Sequence, residues 1–224
     1  MLEPEAQTEM LRRVAAAAAR RGLIVAPVGS VFFLFQGRAS VTTKDIDVIV
    51  HLDDGNIASL DLLVEIGEEL GDARAAGDRA SVIVKMEGPT GPATVDLLRG
   101  KEGAKRSFLP RELLRKAATH GRRDGNILWY PVEFVILLKA DAAVDKKRRA
   151  ATGGRYAEES RERADVFTQD VYSQVQSALG KGELREDHLV EGLLCLKKAR
   201  RFEVAALLEA ASGGRLRLRD RIGG

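Results

Sequence analysis

Two aspartates separated by a single isoleucine open the apolar run Asp45-Ile46-Asp47-Val48-Ile49-Val50. No other feature constrains the chain as tightly. β-Branched residues at that density favour a strand, and strand side chains alternate between faces. Asp45 and Asp47 therefore share one face, about 6.5 Å apart, while Ile46, Val48 and Val50 share the other, buried one. Two carboxylates on one face repel each other, and a divalent cation between them relieves the repulsion. Upstream, Val28-Gly29-Ser30 opens the apolar segment Val31-Phe32-Phe33-Leu34-Phe35. A Gly-Ser turn at a helix start offers backbone N–H groups and a hydroxyl where phosphate binds readily. Taken singly, each element is as well explained by an ordinary turn. In this order they describe a seat for a metal-bound nucleoside triphosphate.

The combination resembles the signature of the DNA polymerase β-type nucleotidyltransferase superfamily: an apolar residue, Gly-Gly or Gly-Ser, a spacer, then Asp-apolar-Asp/Glu. The spacer here, residues 31–44, is slightly longer than is usual in that family. The lead-in Arg38…Thr43-Lys44-Asp45-Ile46-Asp47 is most similar to the abortive-infection type of nucleotidyltransferase toxin and to minimal nucleotidyltransferases. The family carries a third carboxylate on a later strand, and Asp96 in Ala93-Thr94-Val95-Asp96-Leu97-Leu98 fits that description. The resemblance spans residues 23–98. It implies a magnesium- or manganese-dependent transfer of a nucleoside monophosphate from an NTP, such as ATP, to an acceptor hydroxyl. Asp45, Asp47 and Asp96 would be the catalytic metal ligands, and Gly29 and Ser30 would hold the outer phosphates. A non-catalytic binding or partner module on the same fold is the alternative.

Composition excludes several other classes. With 45% hydrophobic and 31% charged residues the chain reads as globular. It has no apolar run near the roughly 18 residues a membrane span needs. The acidic Met1-Leu2-Glu3-Pro4-Glu5 lacks the order of a signal peptide. The single Cys195 excludes an intrachain disulfide and fits a reducing cytoplasm; its setting, Leu193-Leu194-Cys195-Leu196, suggests a buried core thiol. His51, His120 and His188 have no ligand spacing for zinc. Charge is uneven. Residues 53–72 hold seven acids and no Lys or Arg, whereas 99–123 hold nine Lys/Arg against two acids. Such asymmetry focuses an anionic partner or simply marks solvated helix faces. An RNA 3′ end, a protein hydroxyl and a small molecule are all open as acceptors, with the basic stretches favouring RNA.

The periodicity predicts an α/β (α+β) chain: a small mixed sheet with helices packed on one side, then a helical C-terminal domain. Residues 1–130 would form the nucleotidyltransferase-fold domain and 131–224 the helical one. Strands are expected over 23–26, 45–51, 81–87, 93–98 and 125–130. Helices are expected over 4–21, 31–36, 57–70, 111–120 and 131–144, then near 156–179, 185–200 and 202–211. The tail from Gly213 is expected to fray. Arg38, in the loop before the acidic pair, is a candidate to hold the triphosphate, and the resemblance implies the same role for Lys139, at the end of Val135-Ile136-Leu137-Leu138. Charge compensation and snorkelling to solvent are their respective alternatives. Lys44 should face away from Asp45. Asp165 and Asp170, beside Arg161 and Arg163, either form the basic and acidic cluster that the resemblance implies for the helical domain or pair on the helix surface.

Overall fold

The computed structural model describes residues 4–37, 45–76, 81–99, 110–153 and 157–223. They form two compact units, Met1–Pro131 and Val132–Gly224. The first is built on a seven-stranded mixed sheet. Its strands are β1 (Leu23–Val28), β2 (Asp45–Leu52), β3 (Asp72–Ala75), β4 (Ser81–Gly88), β5 (Gly91–Leu98), β6 (Arg122–Asp124) and β7 (Ile127–Trp129). Their order is β3-β4-β5-β2-β1-β7-β6. The central pair β2–β5 and the pair β1–β7 are parallel, and the other neighbours are antiparallel.

Alternation decides which face is sealed. Ile46, Val48 and Val50 of β2, Val95 and Leu97 of β5, and Val82, Val84 and Met86 of β4 enter one core with Leu23 and Val25 of β1. Helices α1 (Pro4–Ala19) and α3 (Leu60–Leu70) bring Met10, Leu11, Val14, Leu63 and Ile66 onto that core. Gly67 lets α3 settle on the sheet, since a Cβ there would lie 2.8 Å from the Ala73 Cβ and 3.0 Å from Val84. The short helix α2 (Gly29–Phe35) follows β1 directly, burying Val31, Phe32 and Phe33.

Several boundaries differ from the periodicity. α3 starts at Leu60 rather than 57, because Ile57 bridges His51 and the Ala58 N–H bonds the Val50 carbonyl at 2.9 Å. Ser59 then caps the helix, its Oγ accepting from the Leu62 N–H at 3.3 Å. β3 and β6, read as Asp-Ala-Arg-Ala and Arg-Arg-Asp, were not expected as strands. α4 (Arg111–Thr119) completes the unit.

The second unit is helical throughout: α5 (Val132–Ala151), α6 (Ala157–Gly180), α7 (Glu186–Leu194), α8 (Lys198–Ala211) and α9 (Leu218–Ile222). α5 runs past Val144 as a charged helix, with Arg148 forked onto Glu203 at 2.8 and 2.6 Å and Arg149 paired with Asp145 at 2.7 Å. α7 stops at Leu194 rather than continuing to 200. The Arg201 guanidinium donates to the carbonyls of Leu193, Leu194 and Leu196 at 3.1, 2.9 and 3.1 Å and so closes the helix end. Cys195 is half-buried, with its thiol on the Glu191 carbonyl, not in the core. The tail is not frayed: Leu216, Leu218 and Ile222 are 3%, 0% and 2% exposed. Among the described residues, no helix is long and apolar enough to cross a membrane.

Candidate active site

The acids lie on the face of the sheet opposite that core. Asp47 lies opposite Asp96 in the parallel β2–β5 register, and Asp45 lies opposite Thr94. Register partners in neighbouring strands point to the same face, so the three carboxylates stand together on the side away from α1 and α3. Val28, the last residue of β1, is the antiparallel partner of Asp47 and delivers the chain into α2 beside it.

Glycine 29 and Asp47 fit each other. Gly29 has φ +64°, and a Cβ there would lie 2.6 Å from Asp47 Oδ2. Any other residue would be strained in backbone and would also collide with the carboxylate. The two halves of the motif are thus in contact at one point. Ser30 is half-buried in the first turn of α2, and the preceding Val28 supplies no side-chain cap to that helix end.

Asp96 is the most perturbed member. Its Oδ1 is buried and without a hydrogen-bond partner. Burial, and then the neighbouring Asp45 charge, push its pKa up from 3.8 to about 6. An orphaned carboxylate oxygen next to a second carboxylate is a donor set without its acceptor. All three acids are hard oxygen donors, which suits Mg²⁺ or Mn²⁺. Among the described residues, no three His, Cys, Asp or Glu side chains gather closely enough to enclose an ion by themselves.

Arg38 and Lys44 fall outside the described residues, as do Lys105 and Arg106 of the basic run. Arg123, from the same run, is paired with Asp53 at 2.6 Å. Lys139 is in the helical unit, nearly buried and ion-paired with Asp170. Asp170 is therefore an interior partner of α5 rather than a surface partner of Arg161 or Arg163, and Arg163 pairs with Glu159 at 2.9 Å. His51 is buried on β2. Its Nδ1 donates to the Gly55 carbonyl at 3.0 Å and its Nε2 accepts from the Tyr130 hydroxyl. Burial holds its pKa below the usual histidine value, so the ring is a neutral tie. Thr94, Ile83 and Lys85, which no motif marks, are set beside the carboxylates by register alone.

No family model and no curated protein matches the chain. Among solved structures, the crystal structure of a candidate nucleotidyltransferase from H. pylori is 14% identical. The match covers 98% of this chain and 99% of that one, with a TM-score of 0.40.

Proposed function

We propose that the first unit is a metal-dependent nucleotidyltransferase. The observation that carries the reading is the contact of Gly29 with Asp47 in a strand register that sets Asp47 beside Asp96. Gly29 and Ser30 hold the outer phosphates of an NTP at the turn. Asp45, Asp47 and Asp96 hold the metal, and its positive charge, when bound, offsets the charge that develops on the α-phosphate. The acceptor oxygen bonds to the α-phosphorus and the bond from that phosphorus to the bridging oxygen of pyrophosphate breaks. Asp96, on the neighbouring strand β5, takes the proton of the attacking hydroxyl and releases it to solvent.

Ligand binding to the native state raises its melting temperature by mass action. Mg²⁺ with an NTP is expected to raise the melting temperature of the wild-type chain by several degrees. The double variant Asp45→Asn, Asp47→Asn should lose the metal-dependent part of that rise. Equal stabilisation of the two proteins would contradict the assignment.

A further inference from the structure

The sheet ends at β3, which has β4 on one side only. The Ala76 N–H donates to the Ser81 carbonyl at 2.9 Å, and this bond fixes the phase of the β3–β4 ladder. In an antiparallel pair each residue turns both backbone groups to the same side, and successive residues alternate. Asp72 and Arg74, in phase with Ala76, therefore bond towards β4. Ala73 and Ala75 present their N–H and C=O groups to the open edge, where no group among the described residues meets them. Edge strands are commonly guarded against further pairing by a proline, a bulge or an excess of one charge. Asp72-Ala73-Arg74-Ala75 has no proline, keeps an unbroken register with β4, and balances one acid with one base.

The charges select one partner and one register. Laid antiparallel to a second copy of itself about a two-fold axis beside Ala73, β3 sets Ala73 against Ala73, and their outward N–H and C=O groups exchange two hydrogen bonds. The same register sets Asp72 directly opposite Arg74 of the second copy, twice by symmetry. Asp72 and Arg74 already pair within the chain at 3.2 Å, so four alternating charges close a square on the exposed face. The other edge of the sheet lacks this complementarity: a two-fold beside the middle residue of β6 sets Arg123 against Arg123. On the opposite face α3 follows the β3 edge. Gly67 lies over Ala73, where a Cβ would come within 2.8 Å of the Ala73 Cβ. Leu60 and Val64 share that side of the helix by their spacing from Gly67, and both are half-buried. Pairing at β3 brings them towards their counterparts and adds apolar area to the backbone bonds, while Asp61 and Glu68 stand further round the helix, exposed.

We propose that β3 is the interface of a homodimer, joining two seven-stranded sheets into one continuous sheet with Ala73 at its two-fold axis. An axis normal to the sheet keeps like faces on the same side. The Asp45, Asp47 and Asp96 clusters of the two copies therefore open in the same direction. The strands β4 and β3 of each copy lie between them, so the two β5 strands are about 24 Å apart. The interface is independent of the nucleotidyltransferase reading, since no residue at the seam belongs to the site.

The test is the mass of the full chain in solution, followed by sedimentation across micromolar concentrations. Wild type should be a dimer in equilibrium with its monomer. Ala73→Pro removes an N–H that points outward and leaves the ladder with β4 intact, so the variant should be a monomer with the circular dichroism of wild type. Arg74→Asp sets like charges opposite each other at two symmetric places and should raise the dissociation constant about tenfold or more. Combining it with Asp72→Arg exchanges the two charges and restores the complementarity. That double variant should return to within about threefold of the wild-type constant, a recovery that misfolding of the single variants cannot produce. A wild-type chain that stays monomeric throughout the range overturns the proposal. So does a wild-type dissociation constant in both Ala73→Pro and Arg74→Asp, which would place the dimer contact on another surface. A folded double variant as weak as Arg74→Asp overturns it as well.

Discussion

Asp96 is where burial and charge act on the same atom. Its pKa is raised from 3.8 to about 6, so the folded chain keeps a proton that the unfolded chain has already lost in that interval. The native state then binds more protons than the unfolded state, and folding stability falls as pH rises from 3.8 to about 6. Above that range the whole penalty is present. Asp96→Asn removes it. In metal-free buffer at pH 8 the variant should melt about 2–4 °C above wild type, the shift expected from roughly 1 kcal/mol in a chain of this size. Partial exposure of the carboxyl to solvent keeps the effect that small. At pH 4 the two melting temperatures should converge. A constant difference at both pH values, or a less stable variant at pH 8, would show that Asp96 is not held in this electrostatic setting.

At the scale of elements, α9 shows how a short basic tail becomes structure. Three apolar side chains, Leu216, Leu218 and Ile222, are buried, and the Arg219 and Arg221 guanidinium groups reach Glu209 and Asp187. Leu218→Ala should cost about 2–5 kcal/mol in chemical denaturation. Val166→Ala, on a side chain 42% exposed, should change stability by about 0.5 kcal/mol or less. A cost for Leu218→Ala as small as that of Val166→Ala would mean the tail is not packed. The tail was illegible because its three apolar residues are spaced among arginines and carry no strong period. β3 and β6 were illegible for a related reason: short, polar edge strands are held by backbone pairing with β4 and β7, and their side chains record little of it. By contrast, β4 and β5 were readable because each has one buried and one more open face, which writes a period of two into the residues, and β2, buried on both faces from Val48 to His51, was readable as a continuous apolar run.

At the scale of the molecule, two acids of the site were legible as neighbours from their spacing, and the third came from the resemblance alone. Asp45 and Asp47 declare a shared face through their spacing. That Asp96 stands opposite Asp47 depends on a parallel pairing across 49 positions, which no local pattern encodes. The same non-local register sets Ile83 and Lys85 beside the site. The basic stretches were the least informative feature. Arg123, Arg148, Arg200, Arg219 and Arg221 are all engaged with carboxylates of their own unit, so part of the excess charge is structural. Lys139 is likewise consumed by Asp170.

The central claim is that Asp45, Asp47 and Asp96 act together in nucleotide transfer, and incubation with α-labelled NTPs tests it most directly. Each labelled NTP is mixed with Mg²⁺, total RNA and protein extract, and wild-type chain, and macromolecular label is counted against Asp47→Asn and Asp96→Asn. The account predicts label in one macromolecular fraction with wild type, a loss of about a hundredfold or more in each variant, and no labelling when EDTA replaces Mg²⁺. Labelling by the variants at the wild-type rate, or none by a wild-type chain that is folded and supplied with all four NTPs, would contradict it.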